Sequence, residues 1–180
     1  VCDDKPDLCY VRYAKFSPVF LVTKVIFTPW FEGFHKFWDP RIFIVNPEQV
    51  CSIEYKYDNR VVYQIDKSPT NTWNITKPYS FLADPILVQN LLSELSRWEF
   101  VNIANVTPEL ASQLGLDPPM ETWELTICSD NFTNHYIIKL GQFQGVLRYA
   151  LRNQEPIILL VPDFITLPRE ALFLKDRRIW

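Results

Sequence analysis

The stretch Trp73-Asn74-Ile75-Thr76-Lys77-Pro78, then Leu82-Ala83-Asp84-Pro85 and the run from Ile86 to Phe100, decides the fold. Its first part alternates apolar and polar residues and stops at a proline, the pattern of a short strand. Asp84 is a favourable N-cap, and Pro85 suits the first helical position, where a missing N–H costs nothing. Val88, Leu91, Leu92, Leu95 and Trp98 then recur at spacings of three and four, the apolar stripe of an amphipathic helix. A helix of this length is marginal alone in water, so the stripe needs a surface to cover it.

The flanking segments supply that surface. Cys51, Ile53, Tyr55 and Tyr57 alternate with Ser52, Glu54, Lys56 and Asp58. This is period two, with one face buried. Asp58-Asn59 signals a tight turn, since both residues tolerate left-handed backbone, and Val61, Tyr63 and Ile65 resume the alternation to complete a hairpin. Ser68 to Asn71 is a second turn, and Trp73 opens a third strand.

Beyond the helix, Thr107-Pro108-Glu109 reads as the start of a shorter second helix, closed by Gly115. Strands follow around Trp123 to Ile127, Tyr136 to Leu140 and Leu147 to Leu151. Ile157 to Val161 is apolar throughout and reads as a central strand. Pro168 to Arg178 reads as a C-terminal helix with cations near its end. The expected fold is α+β: antiparallel β-meanders packed on one long amphipathic helix, with a short second helix and a C-terminal helix. Residues 46–180 form that single domain.

Residues 1–45 differ. They form an aromatic- and proline-rich extension in which neither helical nor strand periodicity persists, although Val19 to Phe27 can form a strand. Phe16, Phe20, Phe27, Trp30, Phe31, Phe34, Phe37, Trp38 and Phe43 need cover from their own domain, a partner or a membrane surface. They are the expected partner-docking residues, because aromatics are enriched at interfaces.

Composition narrows the chemistry. Only 4 glycines in 180 residues argue against phosphate-cradling loops. A net charge of −3 provides no basic footprint for nucleic acid. Two histidines, His35 and His135, lack a second ligand at helical or hairpin spacing, so no metal site is expected. No nucleophile elbow or dinucleotide motif is present, and no catalytic residue or cofactor is assigned. Of four cysteines, Cys2 and Cys9 flank a short polar segment; a local disulfide and two free thiols both stay open. Cys51 and Cys128 fall on opposite strand parities, so no bridge between them is expected. The most apolar stretch, Phe16 to Phe31, is broken by Pro18, Lys24 and Pro29 and is not expected to span a membrane. A chain starting at Val1 leaves room for a signal or anchor removed upstream.

Several short motifs occur together: Asn46-Pro47-Glu48-Gln49-Val50 leading to Ile53, Trp73-x-Ile75-x-x-Pro78, Ala83-Asp84, and Leu91-Leu92-Ser93-x-Leu95. Leu114-Gly115-Leu116-x-x-Pro119, Leu140-Gly141 before Tyr149-Ala150, and Leu174-Lys175-Asp176-Arg177-Arg178 follow. From about Val45 onward the chain resembles a bacterial family known as domain of unknown function 4340. The resemblance implies a domain outside the cytoplasm, anchored at an inner membrane, and a relation to auxiliary components of gliding-motility ABC transporters. It carries over no active site. The first 45 residues, with no anchor among them, read as a departure from the family that favours docking on a partner.

The expectation is therefore a non-enzymatic accessory or scaffold subunit on a membrane protein complex, a transporter or other bioenergetic assembly. Its location would be periplasmic or otherwise extracytoplasmic and peripherally membrane-associated, with the membrane surface as a further contact and no nucleic-acid partner. The alternative is a small-ligand or glycan-binding module using Trp30, Trp38 or Trp123 to stack on a ring. A hydrolase with carboxylates joined only in the fold ranks third.

Overall fold

The computed structural model describes residues 8–12, 19–23, 39–104, 106–129, 132–153, 155, 157–163 and 168–175. The chain divides into two units, Val1–Asp39 and Pro40–Trp180. In the first, β1 (Leu8–Arg12) and β2 (Val19–Thr23) pair antiparallel, from Leu8 opposite Thr23 to Arg12 opposite Val19.

The second unit holds β3 (Val50–Tyr57), β4 (Arg60–Lys67), β5 (Trp73–Lys77), β6 (Phe81–Leu82), α1 (Pro85–Arg97) and β7 (Asn102–Ile103). They are followed by β8 (Glu121–Ser129), β9 (Phe132–Gln144), β10 (Leu147–Arg152) and β11 (Ile158–Pro162). One nine-stranded sheet has the order β6-β5-β4-β3-β8-β9-β10-β11-β7, every neighbouring pair antiparallel. Two meanders, β3–β6 and β8–β11, thus run in opposite directions from the β3·β8 seam.

The alternating side chains sort as their parity dictates. Ile75, Ile65, Ile53, Leu125 and Tyr136 form one cross-strand row, and Tyr63, Tyr55, Trp123 and Ile138 form the next. Of these, all but Tyr136 are at most 1% exposed. The Tyr55 ring lies 4.6 Å from Trp123 and 5.5 Å from Tyr63, both tilted, so three aromatics in contact seal the seam. The opposite face carries Ser52, Glu54, Lys56, Gln64, Asp66, Glu124 and His135. Glu54 lies directly opposite Glu124, a repulsive pairing. Lys56 bridges both carboxylates, Lys77 reaches Glu54 and His135 reaches Glu124. Burial tends to raise the Asp66 carboxyl, but hydrogen bonds from Ser52, Thr76 and Gln64, with Lys77 nearby, hold it below the usual carboxylate range.

The architecture corrects the expected α+β arrangement of meanders around a long helix with two further helices. A single α-helix is present among the described residues. Its start and stripe follow the sequence: Asp84 accepts from Ile86 N at 2.8 Å, Pro85 holds the first turn, and Val88, Leu91, Leu92 and Leu95 are buried. The second expected helix is one 3₁₀ turn, Pro108–Leu110, because only a few residues separate Pro108 from Gly115, whose φ is +69°, too few to repay helix nucleation. The expected C-terminal helix is a 3₁₀ turn, Ala171–Leu174, with Asp176 to Arg178 outside the described residues. Its backbone is used elsewhere: Asp84 N donates to Leu174 O, and Lys175 pairs with Ala83.

The run from Ile157 to Val161 is not a central strand. β11 lies next to the edge, paired on its outer side only with two-residue β7. It is apolar throughout because both of its faces are covered. Ile158 and Leu160 pack with Tyr149 and Leu151 under Ala104, Ala111, Leu114 and Leu116, while Leu159 and Val161 are buried on the main core side.

A further correction concerns Cys51 and Cys128, which are bridged, with Cα atoms 5.7 Å apart. The parity argument fails at a β-bulge. Val50 pairs with Ile127 and Ser52 with Thr126, so Cys51 is the extra residue and leaves the alternation of its strand. Cys2 and the Cys9 side chain lie outside the described residues.

The bridge closes a separation of 77 residues. Replacing both cysteines by Ala is expected to lower unfolding free energy by about 2–4 kcal/mol, read from denaturant midpoints. Non-reducing peptide mapping should recover the Cys51–Cys128 pair.

Candidate functional site

The parity that fills the core also buries charge at one end of it. Glu121 shares the inward parity of Trp123, Leu125 and Ile127 on β8, and Arg148 shares that of Ala150 on β10. Both side chains are buried, Arg148 to 1% exposure and Glu121 to 5%. Arg148 Nη1 donates to Glu121 Oε1 at 2.6 Å and to Asp163 Oδ1 at 3.3 Å. Its Nε and Nη2 donate to Gly141 O at 3.1 and 3.0 Å. Tyr55 donates from its hydroxyl to Glu121 Oε2 at 3.1 Å, and Arg169 Nη2 donates to Asp163 at 3.1 Å. The Phe143 ring lies 4.9 Å from the Arg148 guanidinium carbon.

Two guanidiniums and two carboxylates balance in charge, and no buried side-chain polar atom among the described residues lacks a partner. Burial, then the Glu121 charge and its hydrogen bond, push the Tyr55 phenol well above its ordinary value. What the cluster does is clamp: it ties β8, β10 and the chain after β11 to one point. The sequence signal for it was confined to Glu121, a charged residue at the inward parity of Trp123, Leu125 and Ile127; Arg148 alternates with Leu147, Tyr149 and Leu151 and gave no such signal. Among the described residues no three His, Cys, Asp or Glu side chains gather as metal ligands.

The residues expected to dock a partner divide three ways. Phe16, Phe27, Trp30, Phe31, Phe34, Phe37 and Trp38 lie outside the described residues. Phe43 is buried, its ring 6.5 Å from that of Trp98, so this one residue belongs to the core. The cause is backbone pairing: Ile42 N donates to Trp98 O and Phe100 N to Pro40 O, which draws the segment before β3 against the chain leaving α1. Phe20 is 55% exposed on β2, beside Val19 at 57% and Leu21 at 50%. Alternation puts Phe20 on one face of the ribbon and Val19 and Leu21 on the other. Trp123, proposed as a ring-stacking residue, is 1% exposed and is corrected to a core residue.

The family model described as a domain of unknown function, DUF4340, matches residues 2–119, which is 118 of the 180 residues. The chain belongs to the DUF4340 family. No curated protein and no solved structure matches it. The DUF4340 match begins at Cys2, so the aromatic-rich first 45 residues lie inside it and are not the departure from the family that the motifs suggested. It ends at Pro119, before β8, and the later motifs fall beyond it. Two motifs of this DUF4340 chain nevertheless meet in space: Gln142 N donates to Leu114 O at 2.8 Å, and a Cβ on Gly141 would collide with that same carbonyl. Leu114-Gly115-Leu116 and Leu140-Gly141 are thus one close backbone approach, and Gly141 is the residue whose carbonyl takes up Arg148.

Arg148→Leu should cost about 3–5 kcal/mol, because it takes the nearest cation from the buried Glu121, which keeps only Arg169 at 3.7 Å. Arg148→Leu combined with Glu121→Leu should recover part of that loss in the same denaturant series. The raised Tyr55 phenol keeps its proton in the fold after the unfolded chain has lost it. Stability should therefore fall as pH rises above about 10, and Tyr55→Phe should flatten that fall in melts between neutral and alkaline pH.

Proposed function

We propose that this DUF4340 chain is a non-catalytic accessory or scaffold subunit, held on a membrane protein complex on the extracytoplasmic side by its N-terminal unit. The observation that carries the reading is the ribbon β1–β2, whose Val19, Phe20 and Leu21 are each at least half exposed and lie on both of its faces. A two-stranded ribbon is marginally stable in water by itself, and apolar surface of this kind marks an interaction site. The flanking sequence adds Phe16, Phe27, Trp30, Phe31, Phe34, Phe37 and Trp38 to the same unit, the composition of an interface core.

The partners in this reading are integral subunits of a transporter or other bioenergetic assembly. The Cys51–Cys128 bridge favours an oxidising, extracytoplasmic compartment. No helix of the described residues is long and apolar enough to cross a membrane, so in this reading the attachment is peripheral. The second unit, a cross-linked sheet with a charge clamp at one end, supplies a rigid body for assembly.

Deletion of residues 1–38 is expected to leave cooperative unfolding of the remaining domain intact while lowering its recovery with host membranes about tenfold or more, equivalent to 1.4 kcal/mol or more. Unchanged membrane recovery of a folded truncation would sink the proposal.

A further inference from the structure

A second surface feature lies in the domain and is independent of the docking ribbon. A shallow cleft of about 390 Å³ opens between the turn before β3, the β4–β5 turn and the start of α1. Its lining is Pro47, Glu48, Lys67, Asn71, Trp73, Pro85 and Gln89. We infer that this cleft is a binding site for a neutral sugar ring.

The floor is made of flat, CH-rich or aromatic groups. Trp73 is 8% exposed, and Pro47 and Pro85 flank it. Such groups match the CH faces of a pyranose. The rim carries two amides, one carboxylate and one ammonium, from Asn71, Gln89, Glu48 and Lys67, and the two charges cancel. Amides can accept from and donate to neighbouring hydroxyls, the carboxylate accepts from them and the ammonium donates to them, whereas a net-neutral rim gives no preference to an ion. The cleft's volume falls in the roughly 300–1,000 Å³ of a small-ligand site, and its lining is mixed, three apolar residues and four polar or charged ones.

Three of the four polar side chains of the rim are not engaged by the protein's own bonding, and the fourth, Lys67, is. Among the described residues the side chains of Glu48, Asn71 and Gln89 make no hydrogen bond. Lys67 has no carboxylate partner and lies 5.7 Å from the Trp73 ring centroid, with Glu48 O at 3.4 Å.

The cleft is also held in shape from three sides. Asn46 accepts from Glu48 N and sets Pro47 at the head of its 3₁₀ turn. Asp84 does the same for Pro85 at the head of α1. The β4–β5 turn is stiffened by hydroxyl hydrogen bonds of Ser68 with Thr70 and Thr72, and Asn71 sits there at φ +64° with its N–H on Ser68 O. A site already formed spends little free energy on ordering when a ligand enters.

The test uses the full chain and three neutral probes, maltopentaose, cellopentaose and penta-N-acetylchitopentaose, by saturation-transfer NMR. At least one should saturate with a Kd of about 1–10 mM, the range of a few kcal/mol of binding free energy. The double substitution Asn71→Gly with Gln89→Ala removes both amides at exposed positions, and glycine keeps the left-handed backbone at 71. It should weaken that binding about tenfold or more with an unchanged melting temperature. The inference is overturned if none of the three probes saturates, or if the double variant binds as the parent does.

Discussion

The structure depends on one strand pair. β3 and β8 are far apart in sequence, yet their antiparallel pairing from Val50 opposite Ile127 to Tyr57 opposite Glu121 is the sole join between the two meanders within the described sheet. Each meander is local and forms from hairpins. The seam is not local, and its closure must offset the entropy of the long intervening loop. Three features concentrate on it accordingly. The Tyr63–Tyr55–Trp123 row buries large rings across it, the Cys51–Cys128 bridge locks one end, and the Tyr55–Glu121 hydrogen bond begins the charge cluster at the other.

That cluster explains why charge is present in an otherwise apolar core. A buried ion pair is a weak contributor to stability, since desolvation offsets most of the attraction. Its geometric effect is stronger. The Arg148 fork reaches Glu121 on β8, the Gly141 carbonyl on β9 and Asp163 beyond β11, and a shift in register of any one would strand a buried charge. Gly141 serves the same point twice, by its carbonyl and by the absence of a side chain under the Leu114 loop.

The two functional readings use opposite properties. The domain is cross-linked, and no buried side-chain polar atom among its described residues lacks a partner, while the cleft at Trp73 keeps polar side chains without one. The ribbon β1–β2 has apolar side chains on both faces and no third strand among the described residues, and the proposed docking rests on that exposure.

Local chemistry was legible in the sequence. Asp84-Pro85 placed the start of α1, the stripe from Val88 to Leu95 named its buried side, and Asp58-Asn59 marked a turn whose two residues sit at φ +49° and +57°. Period-two alternation separated Ile53, Tyr55, Tyr63 and Trp123 from the polar face. These features depend on a residue and its near neighbours, so a linear reading captures them. Strand order, the bulge that turns Cys51 toward Cys128, the Arg148 cluster and the burial of Phe43 were decided only in the tertiary structure. So was the loss of the expected C-terminal helix, whose Leu174 carbonyl and Lys175 pair with Asp84 and Ala83 far away in the chain. Capping and alternation are properties of a few consecutive residues, whereas pairing and charge burial are set by which distant segments compete for the same backbone groups and the same dry space.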